Sequence, residues 1–337
     1  MALGPETPIE QEQKQRRAQR SRRGCSFYIG LFLLLGVVVL AGLALFGQYL
    51  LGGEVFPIGD AIGVVRVESM IVSADAIVEE LRRYADSSRI LGILLRIESP
   101  GGAVGAAQEI YGAVREAQKK KPVFASMGNT AASGGYYVAA GAERIFANPG
   151  TVTGSIGVIF ELTNWEDLVE KVGLRFEVVK SGEYKDIGSP ARPVTAAERR
   201  ILQGLIDDVY DQFLDAILET RRAPLTSALQ HALVKNRSVL GDDMPSTMTL
   251  EQFARQIADG RLFSGRQAVE LGLVDELGPM ELAVQRLAEK VGLPPRPKLV
   301  ETRRAPTLFD FLFGRAKAGL LPVGGKTGRL MYRMPLE

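Results

Sequence analysis

The segment LGILLRIESPGG, residues 91–102, decides the fold class of this chain. Leu91–Ile97 is a continuous apolar run, which is typical of a strand buried on both faces of a parallel sheet. It leads into the turn Ser99-Pro100-Gly101-Gly102 and then into a helix of small residues over about Ala103–Lys119. The neighbouring elements are a strand at Ile62–Val67, a helix at Ala74–Tyr84 and a strand at Pro122–Met127. Strands that alternate with helices predict an α/β fold with a mostly parallel sheet.

A second strand-to-helix turn carries Ser133, in the sequence AASGGYY at residues 131–137. Acyl transfer needs backbone N–H groups directed at the oxygen that becomes negative, and glycine lets a turn approach a substrate closely. The 99–102 turn and the N–H of Gly134 can supply such donors, because both turns open helices whose first residues favour negative charge. Tight packing explains either turn alone, but two successive turns with a serine in the second favour a nucleophile. Neither turn matches a phosphate-binding loop or a dinucleotide fingerprint.

Composition excludes several classes of protein and removes the usual base for a serine. The net charge of +2 over 337 residues is too balanced for a nucleic-acid binder. The single cysteine, Cys25, excludes an internal disulfide framework, and one cysteine with one histidine leaves no zinc cluster. The only histidine, His231, lies in the mixed helical segment SALQHALVKN and is expected at the surface. The base must therefore be sought among the lysines, or the hypothesis of a serine nucleophile must be abandoned.

A lysine can act as a base only when it is neutral. The ordinary lysine pKa is about 10.4, and lowering it to near 7 requires about 4 kcal/mol of selective destabilisation of the cation, which burial can provide. Lys185 lies in the loop SGEYKDIGSP, between a strand predicted at Leu174–Val179 and a long helix. Position alone is equally typical of a solvated loop lysine, so the residues by themselves do not select it.

The second half of the chain has fewer features. Thr195 and Glu198 form a capping box that opens the long helix, and Pro224 is expected to end it. Residues 240–248 are predicted to be a surface loop. After Leu293 the composition shifts, and residues 294–337 are expected to be a tail with an amphipathic stretch near Phe309–Leu321.

The N-terminal region predicts a membrane anchor. Phe27–Phe46 is an uncharged apolar run of a length that can cross a bilayer as a helix, and the residues before it carry lysine and arginine. The positive-inside rule then places the N-terminus in the cytoplasm and the residues after about Gly52 across the membrane. A cleaved signal peptide is the alternative; the run exceeds the usual apolar region of about 7–15 residues, and GQYLLGGEV is a poor cleavage site. The expected organisation is a basic segment (1–26), a transmembrane helix (27–47), a linker (48–59), an enzyme domain (60–293) and the tail.

Several motifs, in this order and spacing, resemble one family over about 220 residues. The chain is similar to bacterial signal peptide peptidase A, short form, a serine/lysine protease family related in fold to ClpP and the crotonases. The matching segments are SPGG (99–102), AASGGYYVAA (131–140), TGSIGV (153–158), SGEYKDIGSP (181–190) and GRLFSGRQAVELGLVDELG (260–278).

The resemblance implies roles for individual residues. It makes Ser133 the nucleophile, Lys185 the general base and Ser155 a hydroxyl that orients the lysine, with Gly102 and Gly134 as oxyanion donors. It also implies a spiral of ββα units, a homo-oligomer, no metal or cofactor, and remnant signal peptides and other hydrophobic or unfolded peptides as substrates. The expected location is the bacterial inner membrane, with the catalytic domain on the extracytoplasmic side. Whether Ser133 and Lys185 pair within one subunit or between two stays open.

Two other functions compete with a membrane-anchored peptidase. A crotonase-type acyl-CoA enzyme shares the fold and uses a similar oxyanion hole, but it would not need Lys185, and the anchor separates the domain from cytosolic CoA. A non-catalytic membrane scaffold would need neither Ser133 nor Lys185.

Overall fold

The computed structural model describes residues 32–43, 59–235, 239–241, 247–302 and 330–333. The chain divides into two compact units, Met1–Phe56 and Pro57–Glu337. In the first unit, helix α1 covers residues 32–43 and its side chains are exposed. Within the described ranges, no helix is both long and apolar enough to cross a membrane. The two ends of the predicted Phe27–Phe46 span lie outside the described residues.

The second unit is built on a mixed sheet in which most neighbouring strands are parallel. Its main strand order is β10-β1-β2-β4-β5-β9, with β6 paired to β4, and β8 paired antiparallel to β6. The strands are β1 (Ala61–Glu68), β2 (Ile90–Ser99), β4 (Val123–Ala132), β5 (Arg144–Ala147), β6 (Val152–Gly154), β8 (Leu262–Ser264), β9 (Glu276–Leu277) and β10 (Lys298–Glu301). The mostly parallel α/β sheet predicted from the sequence is therefore confirmed.

A small antiparallel sheet forms beside the carboxyl end of β2. Its strand order is β3-β11-β7, with β3 at Gly101–Ala103, β7 at Ile159–Phe160 and β11 at Leu330–Arg333. Two strands of the described chain, β10 and β11, thus come from the region after Leu293 that was expected to be a tail. The predicted amphipathic stretch Phe309–Leu321 lies outside the described residues, as does part of the predicted loop at 240–248.

Helices cover both faces of the central sheet. Leu287 of the helix Met280–Val291 packs with Ile62, Leu94 and Phe124 in one apolar cluster. Side chains alternate between the faces of a strand, so Gly63 faces the opposite side, where the ring of Tyr84 occupies the space of a side chain. The helices are α2 (Asp75–Asp86), α3 (Val104–Gln118), α4 (Gly134–Ala140), α5 (Glu166–Lys171), α6 (Ala196–Lys235), α7 (Leu250–Ile257), α8 (Gly265–Glu270) and α9 (Met280–Val291).

The prediction that Pro224 ends the long helix is wrong, because α6 continues through it to Lys235. A proline inside a helix costs about 3 kcal/mol through the lost backbone hydrogen bond and the steric clash. Leu225 and Leu229, just beyond it, are buried, and burial of one such side chain contributes about 1.5–3 kcal/mol. The buried Arg221 also holds the helix in place through an ion pair, in which its Nη1 lies 2.8 Å from Asp275 Oδ2. Tertiary packing therefore offsets the cost of the proline.

The predicted strand Leu174–Val179 is also wrong. These residues follow α5 without regular secondary structure, and their apolar side chains are exposed, Val179 by 97%. The capping box is confirmed at both of its hydrogen bonds: Thr195 N–H donates to Glu198 (2.9 Å), and Glu198 N–H donates to Thr195 Oγ1 (3.2 Å). His231 is exposed, as expected.

Candidate active site

Ser133 occupies a strained elbow between β4 and α4. β4 ends at Ala132, α4 begins at Gly134, and the serine between them has φ 54° and ψ −118°. This backbone conformation favours glycine, and a residue with a side chain is held there at a cost of about 1–3 kcal/mol. A strained nucleophile elbow at the end of a strand presents a side chain at the edge of the sheet, where the helix begins.

The Ser133 hydroxyl is buried without a hydrogen-bond partner. The residue is completely inaccessible to solvent, and its Oγ is among the few buried polar side-chain atoms that have no partner in the described part of the chain. Leaving a buried hydroxyl unpaired costs about 1–3 kcal/mol, so such an atom calls for an explanation. A catalytic role explains the missing partner. The hydrogen-bond partner of a nucleophile can arrive with the substrate or with another chain.

The structure brings Ser155 close to Ser133 through the pairing of β4 and β6. Ala132 is opposite Gly154 in this parallel pair, and Ser133 N–H donates to the Gly154 carbonyl oxygen at 2.8 Å. Ser155 is nearly buried and also has a positive φ, 49°. Its own N–H donates to the Arg261 carbonyl oxygen at 2.7 Å, which fixes this second elbow from the β8 side.

The turn that contains Gly102 is held in place from both ends. Ser99 Oγ accepts a hydrogen bond from Gly101 N–H (3.1 Å), and Ile71 exchanges backbone hydrogen bonds with Gly101 and Ala103 at 2.8 and 2.7 Å. A Cβ atom on Gly102 would lie 2.0 Å from the Ile71 carbonyl oxygen, so the turn has no room for a side chain. The turn is therefore tightly packed against Ile71, and this packing fixes the position of the backbone beside Ser133.

α4 approaches the same turn closely. A Cβ atom on Gly135 would lie 2.8 Å from the Ser99 carbonyl oxygen, and β2 and β4 pair at Ser99 and Ala131. The N–H groups at the start of a helix have no acceptor within the helix. Gly134, the first residue of α4, thus places a backbone donor next to the serine, and its role as an oxyanion donor stays a prediction. Ile71 and Gly135 were missed by the sequence analysis; the second glycine of SGG is the only signal that could have indicated the close contact.

Lys185 is not brought to Ser133 within the chain. Its side chain is exposed in a turn-rich loop, and its own N–H donates to the Gly182 carbonyl oxygen at 3.2 Å. None of the hydrogen bonds found among the described residues joins it to Ser133 or Ser155. A buried serine and an exposed lysine are therefore the main feature that the sequence did not predict.

An ion-pair network fixes the loop on both sides of Lys185. Asp186 accepts from Lys180 Nζ (2.6 Å) and from Arg192 Nε (3.0 Å), and Arg192 also donates to Glu198 at 2.5 and 2.9 Å. The Arg192 hydrogen bond, with that of Lys180, holds the pKa of Asp186 well below its usual range. Hydrogen bonds from Arg192 and then from Thr195 lower the pKa of Glu198 to about 2. Arg192 thus connects the loop to the first turn of α6, a link that sequence analysis missed.

The described residues contain no cluster of three or more His, Cys, Asp or Glu side chains that could hold a metal ion. The groups that the structure places beside Ser133 include the Ser155 hydroxyl and the backbone amides of the Gly102 turn and of Gly134. An α/β sheet with a buried, strained serine beside a glycine turn is the arrangement of a serine hydrolase.

Comparison with known proteins narrows this class to one family. Residues 115–238 and 247–294 match the model of peptidase family S49, and residues 64–152 match that of the Clp protease. The chain belongs to peptidase family S49, and it is a serine peptidase of the signal peptide peptidase A type with a ClpP-like α/β fold. The S49 match contains Ser133, Ser155 and Lys185, and the Clp match contains Gly102 and Ser133.

Curated relatives agree with the family. A protein of Synechocystis sp. whose name describes a protease is 42% identical over 63% of this chain and 68% of its own length. A protein of Enterococcus faecium whose name describes a signal peptide peptidase SppA is 34% identical over 63% of this chain and 54% of its own length. The chloroplastic serine protease SPPA of Arabidopsis thaliana is 30% identical over 75% of this chain and 34% of its own. The matched region is thus only part of each relative.

Proposed function

We propose that the chain is a membrane-anchored serine endopeptidase in which Ser133 is the nucleophile and Lys185 the general base. The buried, unpartnered hydroxyl of Ser133 on its strained elbow carries the proposal, because a structural serine would have a hydrogen-bond partner. The proposed substrates are remnant signal peptides and other hydrophobic or unfolded segments, in line with the family.

The proposed reaction uses only groups of the protein and water. Neutral Lys185 removes the proton from Ser133 Oγ, which attacks the carbonyl carbon of a peptide bond. The N–H groups of Gly102 and Gly134 stabilise the oxyanion, and Ser155 orients the lysine amine. The lysine then returns the proton to the leaving amine as the peptide bond breaks. Water, deprotonated by the same lysine, hydrolyses the acyl-enzyme and frees Ser133.

We further propose that the lysine acts on the serine of a neighbouring copy. The positions of the two residues support this arrangement, because within one chain Ser133 is buried whereas Lys185 is exposed to solvent. Exposed apolar side chains near it in sequence, those of Trp165, Leu174 and Phe176, supply a surface that a second copy would cover. A homo-oligomer would then both bury this surface and complete the site.

Hydrolysis of a fluorogenic peptide by the full-length protein tests the dyad. Ser133→Ala and Lys185→Ala should each lose activity, the latter by about 10²–10⁴-fold. Lys171→Ala is the matched control, because Lys171 is an exposed lysine of the same region. Full activity in either dyad variant would contradict the proposal. Turnover of an acyl-CoA without peptide hydrolysis would favour the crotonase-type alternative.

The membrane topology is proposed from the apolar run Phe27–Phe46 and the basic residues before it. Cys25 is the only cysteine, so it reports on the cytoplasmic side of the proposed anchor. In spheroplasts, an impermeant maleimide should label Cys25 only after the membrane is opened. A Cys25→Ser variant with the exposed Lys119 changed to cysteine should be labelled at once. The reverse pattern would contradict the topology.

A further inference from the structure

A bulge interrupts β4 shortly before Ser133. The pairing of β2 with β4 shifts its register between residues 97 and 99 of β2. There a single residue of β2, Glu98, lies opposite three residues of β4, residues 128–130. Extra residues in one strand break the regular pairing, bend that strand and redirect the side chains that follow. The bulge at residues 128–130 is therefore placed where it can set the course of β4 into the serine elbow.

The bulge is also the point at which β4 changes one of its neighbours. Before it, residues 124–126 pair parallel with β5, and from its last residue onward, residues 130–132 pair parallel with β6. β4 ends next to Ser133, and β6 ends next to Ser155. The course of the chain through the bulge therefore determines how the two elbows meet.

The side chain of Glu98 holds the bulge from the β2 side. Its Oε2 accepts a hydrogen bond from the backbone N–H of Asn129 at 2.8 Å, and its Oε1 accepts one from the N–H of Thr130 at 3.1 Å. The side-chain amide of Asn129 also donates to Oε2, at 3.3 Å. These three hydrogen bonds form the Glu98 clamp. Because bonds to a carboxylate are stronger than those between neutral groups, the clamp can replace the strand-pairing bonds that the bulge interrupts.

The backbone around the bulge is shaped to receive this carboxylate. A Cβ atom on Gly128 would lie 1.9 Å from Glu98 Oε2, so the glycine leaves the space that the carboxylate occupies. The carbonyl groups are held as well: Thr151 Oγ1 donates to that of Gly128 at 2.7 Å, and Arg96 Nη1 donates to that of Met127 at 3.2 Å. Side chains from both neighbouring strands thus fix the bulge in one conformation.

Glu98 is also connected to the turn that contains Gly102. It directly precedes Ser99, the first residue of that turn. Its carbonyl oxygen accepts a hydrogen bond from Ser69 N–H at 2.9 Å, and Ser69 lies two residues before Ile71, which bonds to the same turn. One residue therefore links the frame of the turn to the strand that leads to the serine.

We propose that Glu98 is a positioning residue: its carboxylate fixes the bulge and so sets the position of Ser133 relative to the turn that contains Gly102. The inference rests on the proposed peptidase function. In this role Glu98 does not touch the substrate and transfers no proton. Misplacement of a reacting group by about 1 Å can lower a rate by about 10²-fold. Loss of the clamp therefore lowers kcat and has much less effect on KM.

Glu98→Gln tests the clamp in the full-length protein, because it keeps the shape of the side chain and removes one of the two acceptor oxygens. We expect kcat for a fluorogenic peptide to fall by about 10²-fold, while KM changes by less than about twofold. The matched control is Glu68→Gln, since Glu68 lies opposite Glu98 in β1 and pairs with Arg66 at the surface. This control should keep the wild-type kcat. A wild-type kcat in Glu98→Gln, or an equal loss in Glu68→Gln, would overturn the proposal.

Gly128→Ala displaces the carboxylate without altering Glu98. Its Cβ would take the place of Glu98 Oε2, so this variant should lose kcat to a similar extent. The double variant with Glu98→Gln should be no slower than the slower single variant, because both changes break the same clamp. Losses that multiply, to about 10⁴-fold in the double variant, would show that the two residues act independently and would overturn the proposal.

Hydrogen exchange measured by mass spectrometry separates this proposal from the peptidase function. In the Ser133→Ala background, Glu98→Gln should speed exchange in peptides that contain residues 128–133 by at least about tenfold and leave exchange in α9 unchanged. Unchanged exchange at the bulge, or an equal increase in α9, would overturn the proposal. Faster exchange confined to the bulge, with no peptide hydrolysis by the wild type, would support the clamp and contradict the peptidase function.

Discussion

The backbone N–H of Ser133 donates a 2.8 Å hydrogen bond to the carbonyl oxygen of Gly154. This bond extends the pairing of β4 and β6 by one step, to the point where both strands end. Ser133 and Ser155 each follow the last residue of a strand with a positive φ. The two elbows are therefore held together by the sheet, which maintains the backbone strain at the candidate nucleophile.

Substitution of Ser133 should separate its catalytic role from its structural cost. Ser133→Ala and Ser133→Gly both remove the hydroxyl, so both should lose peptidase activity by at least about 10³-fold. Ser133→Ala should not lower the melting temperature, because the hydroxyl has no partner to lose. Ser133→Gly should be more stable than Ser133→Ala by about 1–2 kcal/mol, because glycine adopts the elbow without strain. Urea unfolding of the wild type, Ser133→Ala and Ser133→Gly measures these differences in the free energy of unfolding. A less stable glycine variant would show that the elbow is not strained.

A methyl group at Gly102 should disable the site without unfolding the chain. The added Cβ would lie 2.0 Å from the Ile71 carbonyl oxygen, and backbone has to move to accommodate it. Because the displaced turn carries a proposed oxyanion donor, we expect kcat of Gly102→Ala to fall by about 10²–10³-fold. Gly112→Ala in α3 is the control, since its Cβ would have nothing within 4 Å. This control should keep full activity and gain up to about 1 kcal/mol of stability. Wild-type kcat in Gly102→Ala would rule out the turn as an oxyanion donor.

Acid should remove the stabilisation that the Glu198 carboxylate supplies to the loop of Lys185. The pKa of Glu198 is lowered from 4.5 to about 2 in the folded chain, chiefly by Arg192. A lowered pKa stabilises the fold at pH values above about 4.5, and this contribution is lost as the pH falls towards about 2. The wild-type protein should therefore melt at a higher temperature than Glu198→Gln at pH 7, with a difference that shrinks through this range.

Glu170→Gln is the control for that measurement, because Glu170 is exposed and forms no ion pair among the described residues. Its melting temperature should follow that of the wild type at every pH. A Glu198→Gln difference that stays constant from pH 7 to pH 2 would show that the Arg192 network does not stabilise the fold through charge.

Mixing two inactive variants should reveal whether the site is shared between copies. If Lys185 acts on the serine of a neighbour, each site of a ring combines Ser133 of one copy with Lys185 of the next. In a ring assembled at random from equal amounts of Ser133→Ala and Lys185→Ala, one site in four then has both residues intact. Co-refolded or co-expressed mixtures should then recover about a quarter of the wild-type rate. A mixture that assembles but stays inactive would show that the pair forms within one chain.

The sequence was sufficient for the sheet and for the serine elbow. The apolar run ending in SPGG and the small residues around Ser133 have local causes, since burial selects the first and a tight elbow selects the second. The capping box at Thr195 was equally predictable, because its two hydrogen bonds join residues three positions apart.

Errors arose where distant contacts override local preference. Pro224 is a helix breaker by itself, but buried leucines beyond it keep α6 intact. Residues 174–179 alternate apolar and charged side chains as a strand does, yet none of the strands in the described part of the chain pairs with them. The choice of Lys185 came from the family resemblance and not from the residues around it. The pairing of β11 with Gly101–Ala103 could not be predicted from local sequence, because it joins residues over 200 positions apart.

Covalent labelling with a fluorophosphonate probe, followed by peptide mapping, tests the central claim most directly. We expect one adduct, on Ser133, in the full-length protein. Labelling should slow by at least about 10²-fold in Lys185→Ala, because the base is absent, and should be unchanged in Lys171→Ala. An adduct on another serine, or equally rapid labelling of Ser133 without Lys185, would contradict the Ser133–Lys185 dyad.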